Sequence, residues 1–407
     1  MRLGRFCLAL LCLLPLVAEA FYQAEKEEVF IEARGLLQAV GLAANNPNDR
    51  LLYPDDKVLG AAVSARLLLD IDWSNWRFEA HAVQAYQSDE LLLAGRGYRL
   101  ARDVERSDML TERFAGGNAS LLLDRLNLQY GKGPLTIKLG RQPVNLAATY
   151  YFTPNDFFAP FAAQTFYRTY KPGVDAMRLD WQWQDLSQLT LLTVLNYPAE
   201  TGSETGWSAS PDWGSTAYLA RASSLLGNTQ WGILAAEIDD DQIIGFDFQG
   251  ELFGWLGVRG EGHSRFFDEH DRDRDSKLSL SFEYRPTSRS SLRLEQFYQR
   301  SGASREQDYR LSELSFDDNR FYLARHYTAL GGSYEVTPLL NTDAVVLYNH
   351  NDSSSLVALY ASYSLSDEAE LAIGLNLPVG KLPDTGRLQS EFGTYPKSLT
   401  LELRSYF

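Results

Sequence analysis

Apolar and polar side chains alternate along many segments of the chain, and this period of two constrains the fold more than any other feature. Residues 399–404 read Leu-Thr-Leu-Glu-Leu-Arg, and residues 278–283 read Leu-Ser-Leu-Ser-Phe-Glu. Because successive side chains of a β-strand point to opposite faces, each segment predicts a strand with one apolar and one polar face. After residue 17, no run approaches the eighteen apolar residues that a membrane-spanning helix requires.

Segments of this kind, each about ten residues long and separated by turn residues, are typical of strands that cross a membrane as part of a barrel. We count about eighteen of them, with sixteen as the alternative. The predicted strands lie near residues 29–44, 58–72, 75–87, 119–130, 134–146, 174–183, 187–197, 215–226, 229–238, 242–250, 254–263, 277–285, 290–300, 321–336, 341–350, 354–364, 369–378 and 396–407.

The connections between the predicted strands alternate between short and long. Short links fall at 72–75, 131–134, 184–186, 227–228, 286–289, 338–340 and 366–368. Longer segments fall at 45–57, 88–118, 147–173, 198–214, 264–276, 301–320 and 379–395, and two further links on this side, near 239–241 and 351–353, are short. Bacterial outer-membrane barrels have short periplasmic turns and long outer loops. The pattern predicts an all-β, transmembrane, antiparallel up-and-down β-barrel with both termini in the periplasm.

The first twenty residues have the order of a secretory signal peptide. Arg2 and Arg5 precede the apolar run 6–17, and Ala-Glu-Ala follows at 18–20. As an alternative, the run is a membrane anchor, but it is shorter than the roughly 20 residues that a hydrocarbon core needs. We expect residues 1–20 to be a cleaved signal and residues 21–407 to form the barrel in the bacterial outer membrane.

Cysteine content and charge exclude several classes of function. Both cysteines, Cys7 and Cys12, lie in the predicted signal, so the mature chain has no thiolate metal site, cysteine nucleophile or redox pair. Without residues 1–20 the chain has 38 − 2 = 36 basic and 53 − 1 = 52 acidic residues, a formal charge of −16. This charge argues against a nucleic-acid partner. We also expect no cofactor and no bound metal.

The chain is rich in aromatic residues, with 22 Tyr, 21 Phe and 8 Trp. Transmembrane barrels carry aromatic girdles at both membrane interfaces, which favours the barrel. A soluble exported β-sandwich or β-solenoid also alternates and is the alternative. Candidates for the girdles are Trp73, Trp76, Trp181, Trp183, Trp231, Trp255, Tyr284, Phe297, Tyr298, Tyr360 and Tyr363.

One passage, residues 139–175, is more apolar and aromatic than an exposed loop. Leu-Gly-Arg-Gln-Pro at 139–143 ends a predicted strand, and an aromatic, proline-containing stretch follows at 150–161. By strand count it is the third outer loop. We predict that it narrows a pore, with charged and aromatic side chains at the constriction. In the alternative, the aromatic residues cap the barrel and the charge pairs are structural. The predicted constriction residues are Arg141, Asp156, Phe157, Arg168, Lys171 and Asp175.

This passage resembles porin-like outer-membrane barrels, including the eighteen-stranded alginate-export type, in which a strand with Gly-Arg-Gln leads into such a loop. The resemblance covers about 40 residues and implies passive diffusion or export of polar or charged small solutes or saccharides through a water-filled lumen. The final strand, which ends in Phe407, is similar to the signal that the outer-membrane assembly machinery recognises, although Ser405 departs from it. The implied partners are outer-membrane lipid and lipopolysaccharide, the assembly machinery and small polar solutes.

Other functions fit the sequence less well. Residues 350–353, His-Asn-Asp-Ser, contain the side-chain types of a hydrolase but no known lipase or protease context, so we expect no enzyme. Acidic residues at 271, 273 and 275 have the spacing of a calcium loop, but Ser276 and Phe282 replace its glycine and glutamate. A structural or adhesive barrel, or the sheath of an export or electron-transfer complex, stays open as an alternative.

Overall fold

The computed structural model describes residues 22–26, 28–88, 111–113, 118–198, 208, 210–267, 274–310 and 321–407. These residues contain twenty strands: β1 (Tyr22–Lys26), β2 (Val29–Asn45), β3 (Lys57–Trp73), β4 (Trp76–Gln87), β5 (Thr111–Arg113), β6 (Ala119–Lys132), β7 (Leu135–Gln142), β8 (Val174–Gln184), β9 (Ser187–Asn196), β10 (Asp212–Leu226), β11 (Thr229–Ile238), β12 (Asp241–Leu252), β13 (Leu256–Phe266), β14 (Asp275–Thr287), β15 (Ser290–Gln299), β16 (His326–Thr337), β17 (Leu340–Asn349), β18 (Ser355–Ser366), β19 (Ala369–Val379) and β20 (Lys397–Tyr406). Across the described ranges, no helix is long and apolar enough to cross a membrane.

Eighteen of these strands pair in chain order, each antiparallel to the next, and form a closed barrel. The ring closes where β2 pairs with β20, from Leu36 opposite Tyr406 to Asn45 opposite Lys397. The other two strands, β1 and β5, pair only with β2 and β6 and add short extensions to the wall. The predicted fold class and the count of eighteen strands are therefore confirmed, and the alternative of sixteen is wrong.

Two predicted strands extend at least four residues beyond one end of the observed strand, and β1 and β5 were not predicted. The strand predicted at 134–146 ends at Gln142, because Pro143 has no backbone N–H for a further ladder hydrogen bond. The strand predicted at 321–336 begins at His326. Residues before it leave the wall, and the backbone N–H of Leu323 instead donates to the Glu391 carboxylate at 3.1 Å.

The two faces of the wall differ as the alternation predicts. On β14, Ser279 and Ser281 are buried on the inner face, whereas Leu278 and Tyr284 are each 44% exposed on the outer face. Apolar side chains are exposed on the outside of the neighbouring strands as well, including Ile233 at 68%. A continuous apolar outer surface of this kind fits a hydrocarbon environment rather than water.

Aromatic side chains cluster at the end of the barrel that carries the short turns. Trp73 and Trp76 stack across the β3–β4 turn with ring centroids 6.3 Å apart, and Trp255 contacts Tyr284 at 5.5 Å. Further pairs at this rim are Trp76 with Tyr130, Trp181 with Trp183, Trp231 with Phe248 and Phe253 with Trp255. Seven of the predicted girdle residues lie in this belt, which matches an aromatic girdle at one membrane interface.

The carboxyl end of the chain completes the wall beside β2. The backbone N–H of Gly35 donates to the Phe407 carbonyl at 2.5 Å, and the Phe407 N–H donates to the Gly35 carbonyl at 3.0 Å. The Phe407 ring lies where a Cβ of residue 35 would be, so any side chain at this position requires the ring to move. The predicted signal peptide lies outside the described residues and stays a prediction, as does the role of Phe407 in assembly.

Candidate functional site

Residues 143–173, which we call the inner-face loop, connect β7 to β8 and contact strands around the whole ring. Backbone amides of the loop bind side chains of β13 and β15, and three of its aromatic rings pack on β3, β18 and β20. The side chains that it contacts belong to the polar inner face of the wall. The loop therefore connects strands on opposite sides of the barrel.

The carboxylate of Glu261, on β13, binds the loop backbone at three points. Oε2 accepts hydrogen bonds from the backbone N–H groups of Ala148 and Thr149, the latter at 3.1 Å, and Oε1 accepts one from Asn155 at 3.0 Å. The Asn155 side chain donates to the Phe246 carbonyl of β12 at 2.9 Å. Each of these buried N–H groups would cost about 1–3 kcal/mol without its acceptor, so Glu261 fixes both ends of residues 148–155.

A second buried carboxylate, Glu295 on β15, binds the residues between those two ends. Its oxygens accept hydrogen bonds from three successive backbone N–H groups, those of Tyr150 at 3.0 Å, Tyr151 at 3.1 Å and Phe152 at 2.6 Å. Ser279 of β14 donates to the same carboxylate at 2.9 Å. Successive amides that converge on one anion form a concave binding site, so the loop backbone is shaped around Glu295.

The ring of Tyr150 lies between two guanidinium groups of the wall. The Arg259 and Arg293 guanidinium carbons lie 4.4 Å and 4.5 Å from the ring centroid, within the range of cation–π attraction. Arg293 also donates to Glu283 at 2.9 Å. Burial raises the pKa of Tyr150, so its hydroxyl stays neutral at physiological pH. These contacts hold the turn of the loop against β13 and β15 by its side chain as well as its backbone.

Arg168 binds the loop to itself. Its guanidinium donates to the carbonyls of Thr165 at 2.7 Å, Tyr150 at 2.6 Å and Ala163 at 3.1 Å. Burial lowers the pKa of Arg168, but an arginine remains charged under physiological conditions. The two halves of the inner-face loop are therefore joined through one side chain.

We expect Arg168→Met to loosen the inner-face loop while the wall stays folded. The substitution keeps much of the side-chain volume but leaves buried carbonyls without a donor, at a cost of about 1–3 kcal/mol for each. Proteolytic cleavage within 143–173 should become faster in the folded barrel. The exposed Arg50, substituted by Met, is the control and should leave the cleavage rate unchanged. Equal cleavage of both variants would contradict this role of Arg168.

Two of the predicted constriction residues, Arg141 and Asp175, face each other on β7 and β8. Arg141 is only 1% exposed, and its Nε and Nη2 donate to the two Asp175 oxygens at 2.8 Å each. The Tyr197 hydroxyl donates to Asp175 at 2.8 Å as well. The two charges neutralise each other, and the ion pair joins β7 and β8, the strands between which the inner-face loop runs.

The predicted pair Lys171 and Asp156 forms a buried ion pair within the loop. Phe157, next to it, is partly exposed, and its ring lies 5.1 Å from the imidazole of His263. The six predicted residues thus divide into two ion pairs, Arg168 and one aromatic ring. This geometry supports the alternative that the charge pairs are structural, and the role of these residues at a constriction stays a prediction.

The second half of the inner-face loop packs on β3, β18 and β20, which lie near the closing pair of strands β2 and β20. The contacts are one stacked pair and two cation–π pairs: Phe166 with Tyr360 at 5.4 Å, Tyr167 with Arg404 at 3.7 Å, and Tyr170 with Arg66 at 4.2 Å. Together with Glu261 and Glu295, they hold the loop at both sides of the barrel.

The long segments that connect the strands from β15 to β20 are joined by a third buried carboxylate. Glu391 accepts hydrogen bonds from the Leu323 backbone at 3.1 Å, from Asn349 Nδ2 at 2.9 Å and from the Tyr327 hydroxyl. Its own N–H donates to Asp352 at 2.7 Å. An apolar cluster that includes rings of the inner-face loop fills the space below. This side of the long-loop end is therefore densely packed.

A cavity of about 540 Å³ lies at the same end, next to this apolar cluster, and Tyr151, Phe152, Phe297 and Leu323 belong to both. Residues 151–161 of the inner-face loop form one of its walls, and the rest is formed by the ends of β9 and β11–β15 and by residues 301–302 and 321–323. We call it the outer cavity.

The two minor alternatives find little support in the contacts. His350 pairs with the Thr328 hydroxyl at 2.6 Å, while Asp352 accepts the Ser354 N–H at 2.7 Å. His350 is thus joined to Thr328 rather than to Asp352. Of the acidic run, residues 268–273 lie outside the described residues, and Asp275 accepts the Ser301 N–H at 3.0 Å.

The sequence reasoning missed the three carboxylates that organise the loops: Glu261, Glu295 and Glu391. In the sequence each is one more polar residue at a position where polar residues are expected. Each binds backbone groups tens of residues away, and no local pattern signals such a partner.

An eighteen-stranded closed barrel with a loop bound to its inner face defines the porin type of transmembrane fold. Among solved structures, the chain is similar to OccAB3 of Acinetobacter baumannii, with a TM-score of 0.59 and 10% identity over 93% of this chain and 99% of the other. It is also similar to Pseudomonas aeruginosa OccK2 (OpdF), solved in complex with glucuronate, and to OccK9 (OpdG). Each of these two has a TM-score of 0.59 and 12% identity, over 93% of this chain and 98% of the other. These similarities establish a shared fold. No protein-family profile and no curated protein sequence matches the chain.

Proposed function

We propose that the protein is an outer-membrane channel through which small polar or charged solutes, or saccharides, diffuse, and that the inner-face loop crosses the lumen and constricts it. The observation that carries the proposal is the binding of residues 148–155 by Glu261 and Glu295. The loop begins and ends on β7 and β8, so it reaches these carboxylates by passing through the interior of the ring. A barrel of eighteen strands is wide enough to hold water around such a loop.

Two further features support a place in the outer membrane. The outer surface is apolar along the strands, and an aromatic belt lies at the end with the short turns. We propose that this end faces the periplasm, with membrane lipid and lipopolysaccharide as the surrounding partners. The assembly machinery that recognises a terminal aromatic residue is a further proposed partner, through Phe407.

The solute class has partial support from similar folds. OccK2 was solved with glucuronate, a polar and negatively charged sugar acid, and its fold resembles that of this chain. In this chain, inward-facing side chains of both charges line the wall, among them Arg178 paired with Asp180 and Arg221 paired with Asp247. Such a wall suits hydrated polar solutes and does not by itself select one sign of charge.

The direct test is conductance in planar lipid bilayers. We expect the purified protein to insert and give discrete conductance steps, and we expect deletion of residues 150–170 to raise them. A barrel that inserts, shifts its gel migration on boiling and conducts no ions would contradict a channel. A structural or adhesive barrel, or the sheath of a larger complex, would then be the better explanation.

A further inference from the structure

We infer that the outer cavity is a binding site for an uncharged saccharide of one or two rings. This inference rests on the proposed channel function, because it names the class of solute that the channel would meet at its outer end. It depends on three observations: which rings line the cavity, how its charges are balanced, and where it lies.

Aromatic rings form part of the cavity lining. Phe157 and Phe161, from the inner-face loop, and Phe267, after β13, line it and are partly exposed. The faces of such rings pack well on the apolar C–H face of a pyranose. The volume of about 540 Å³ falls in the range of small-molecule sites.

Polar groups surround these rings, and several of them form ion pairs or hydrogen bonds with other residues of the protein. Arg265 donates to Asp241 at 2.6 Å and lies 3.7 Å from Asp239. Asp275 accepts the backbone N–H of Ser301 at 3.0 Å. A carboxylate can accept about four hydrogen bonds and a guanidinium can donate five, so groups of both kinds can also bind a ligand hydroxyl. This mixture of donors and acceptors suits sugar hydroxyls.

The balance of charge disfavours an anion. Four aspartates line the cavity, at positions 156, 239, 241 and 275, against two cations, Arg265 and Lys277. Asp156 is paired with Lys171, which lies outside the lining, so three aspartates remain against the two cations. The carboxylate of a uronate would therefore be repelled by a slightly negative site, whereas a neutral sugar would not be repelled. This differs from the sugar acid bound by OccK2.

The position of the cavity places it next to the proposed constriction. The segments that connect β15 to β20 are packed around Glu391, and the cavity lies beside them, at the ends of β11–β15. One of its walls is the stretch of the inner-face loop that Glu261 and Glu295 bind. A solute held there lies directly beside the proposed constriction.

The test is saturation-transfer difference NMR on the full-length protein in a sugar-free detergent such as an amine oxide, with maltose and glucuronate as probes. We expect a clear signal for maltose and a weaker one for glucuronate. In a Phe157→Ala, Phe161→Ala double variant, maltose affinity should fall roughly tenfold, the value expected for the loss of two ring contacts. Phe253→Ala is the matched control, because Phe253 is 81% exposed at the β12–β13 turn.

Several outcomes would overturn the inference: no signal for maltose, a stronger signal for glucuronate, or unchanged maltose binding in the double variant. The comparison of the two sugars uses the wild-type protein alone, so it holds even if the double variant does not fold. Conductance is measured on the same preparation. A conducting protein that ignores maltose refutes only this site, whereas binding without conductance refutes only the channel.

Discussion

Substitution of both Glu261 and Glu295 by glutamine should raise the single-channel conductance severalfold and increase the current noise. Each glutamine keeps the shape of the side chain but presents an NH₂ group to backbone N–H donors that now meet a carboxylate oxygen. A buried donor left without an acceptor costs about 1–3 kcal/mol, and six loop amides are involved. The loop should then leave the wall for much of the time and stop narrowing the lumen.

The matched control is Glu251→Gln. Glu251 is exposed at the short-turn end of β12, away from the inner-face loop, so its replacement makes the same chemical change once without touching the loop. Gel migration before and after boiling shows whether each variant is a folded barrel. If the double variant is folded and conducts like the control, the inner-face loop does not set the conductance.

Replacement of Gly35 by leucine should leave most molecules of the variant without a closed barrel. A side chain at this position occupies the volume of the Phe407 ring, and the backbones of the two residues are joined by two hydrogen bonds. Overpacking typically costs about 1–3 kcal/mol, and here it acts at the seam where the first and last wall strands meet. We expect the heat-modifiable, folded form to be strongly reduced on a gel.

Gly41→Leu is the control for this variant. Gly41 lies on the same strand and the same face, but a Cβ there meets nothing within 4 Å. Its leucine variant should fold like the wild type. Phe407→Ala separates two explanations: if Phe407 also serves as the assembly signal, its loss should reduce folding in cells even though Gly35 is intact. Normal folding of Gly35→Leu would show that the Phe407 ring moves aside at little cost.

The wall of the barrel could be predicted because its signal is local. Residues 278–283 alternate in the sequence, and in the structure Ser279 and Ser281 are buried while Leu278 is exposed. The short links at 227–228 and 338–340 became tight turns, since two strands joined by so few residues must pair. Strand ends were less predictable, and at Pro143 the missing N–H ended β7 early.

The inner-face loop was predictable as an unusual passage, but the contacts that hold it were not. The predicted residues Arg141 and Asp175 belong together because β7 and β8 pair in one particular register, and a shift of two residues would separate them. Lys171 and Asp156 pair because of the path of the loop itself. The residue types of these four side chains suggested a constriction. In the structure they form two ion pairs, in which each charge is neutralised by its partner.

The sequence by itself determined the class of fold and the end of the barrel at which the long segments lie, and it favoured eighteen wall strands over sixteen, because period, turns and segment lengths act between near neighbours. Only the tertiary structure decided where the loop goes and which groups hold it there. Glu261 and Glu295 meet their backbone partners more than a hundred residues away, once the ring has closed. Such contacts arise from the curvature of the whole wall, which no short stretch of sequence encodes.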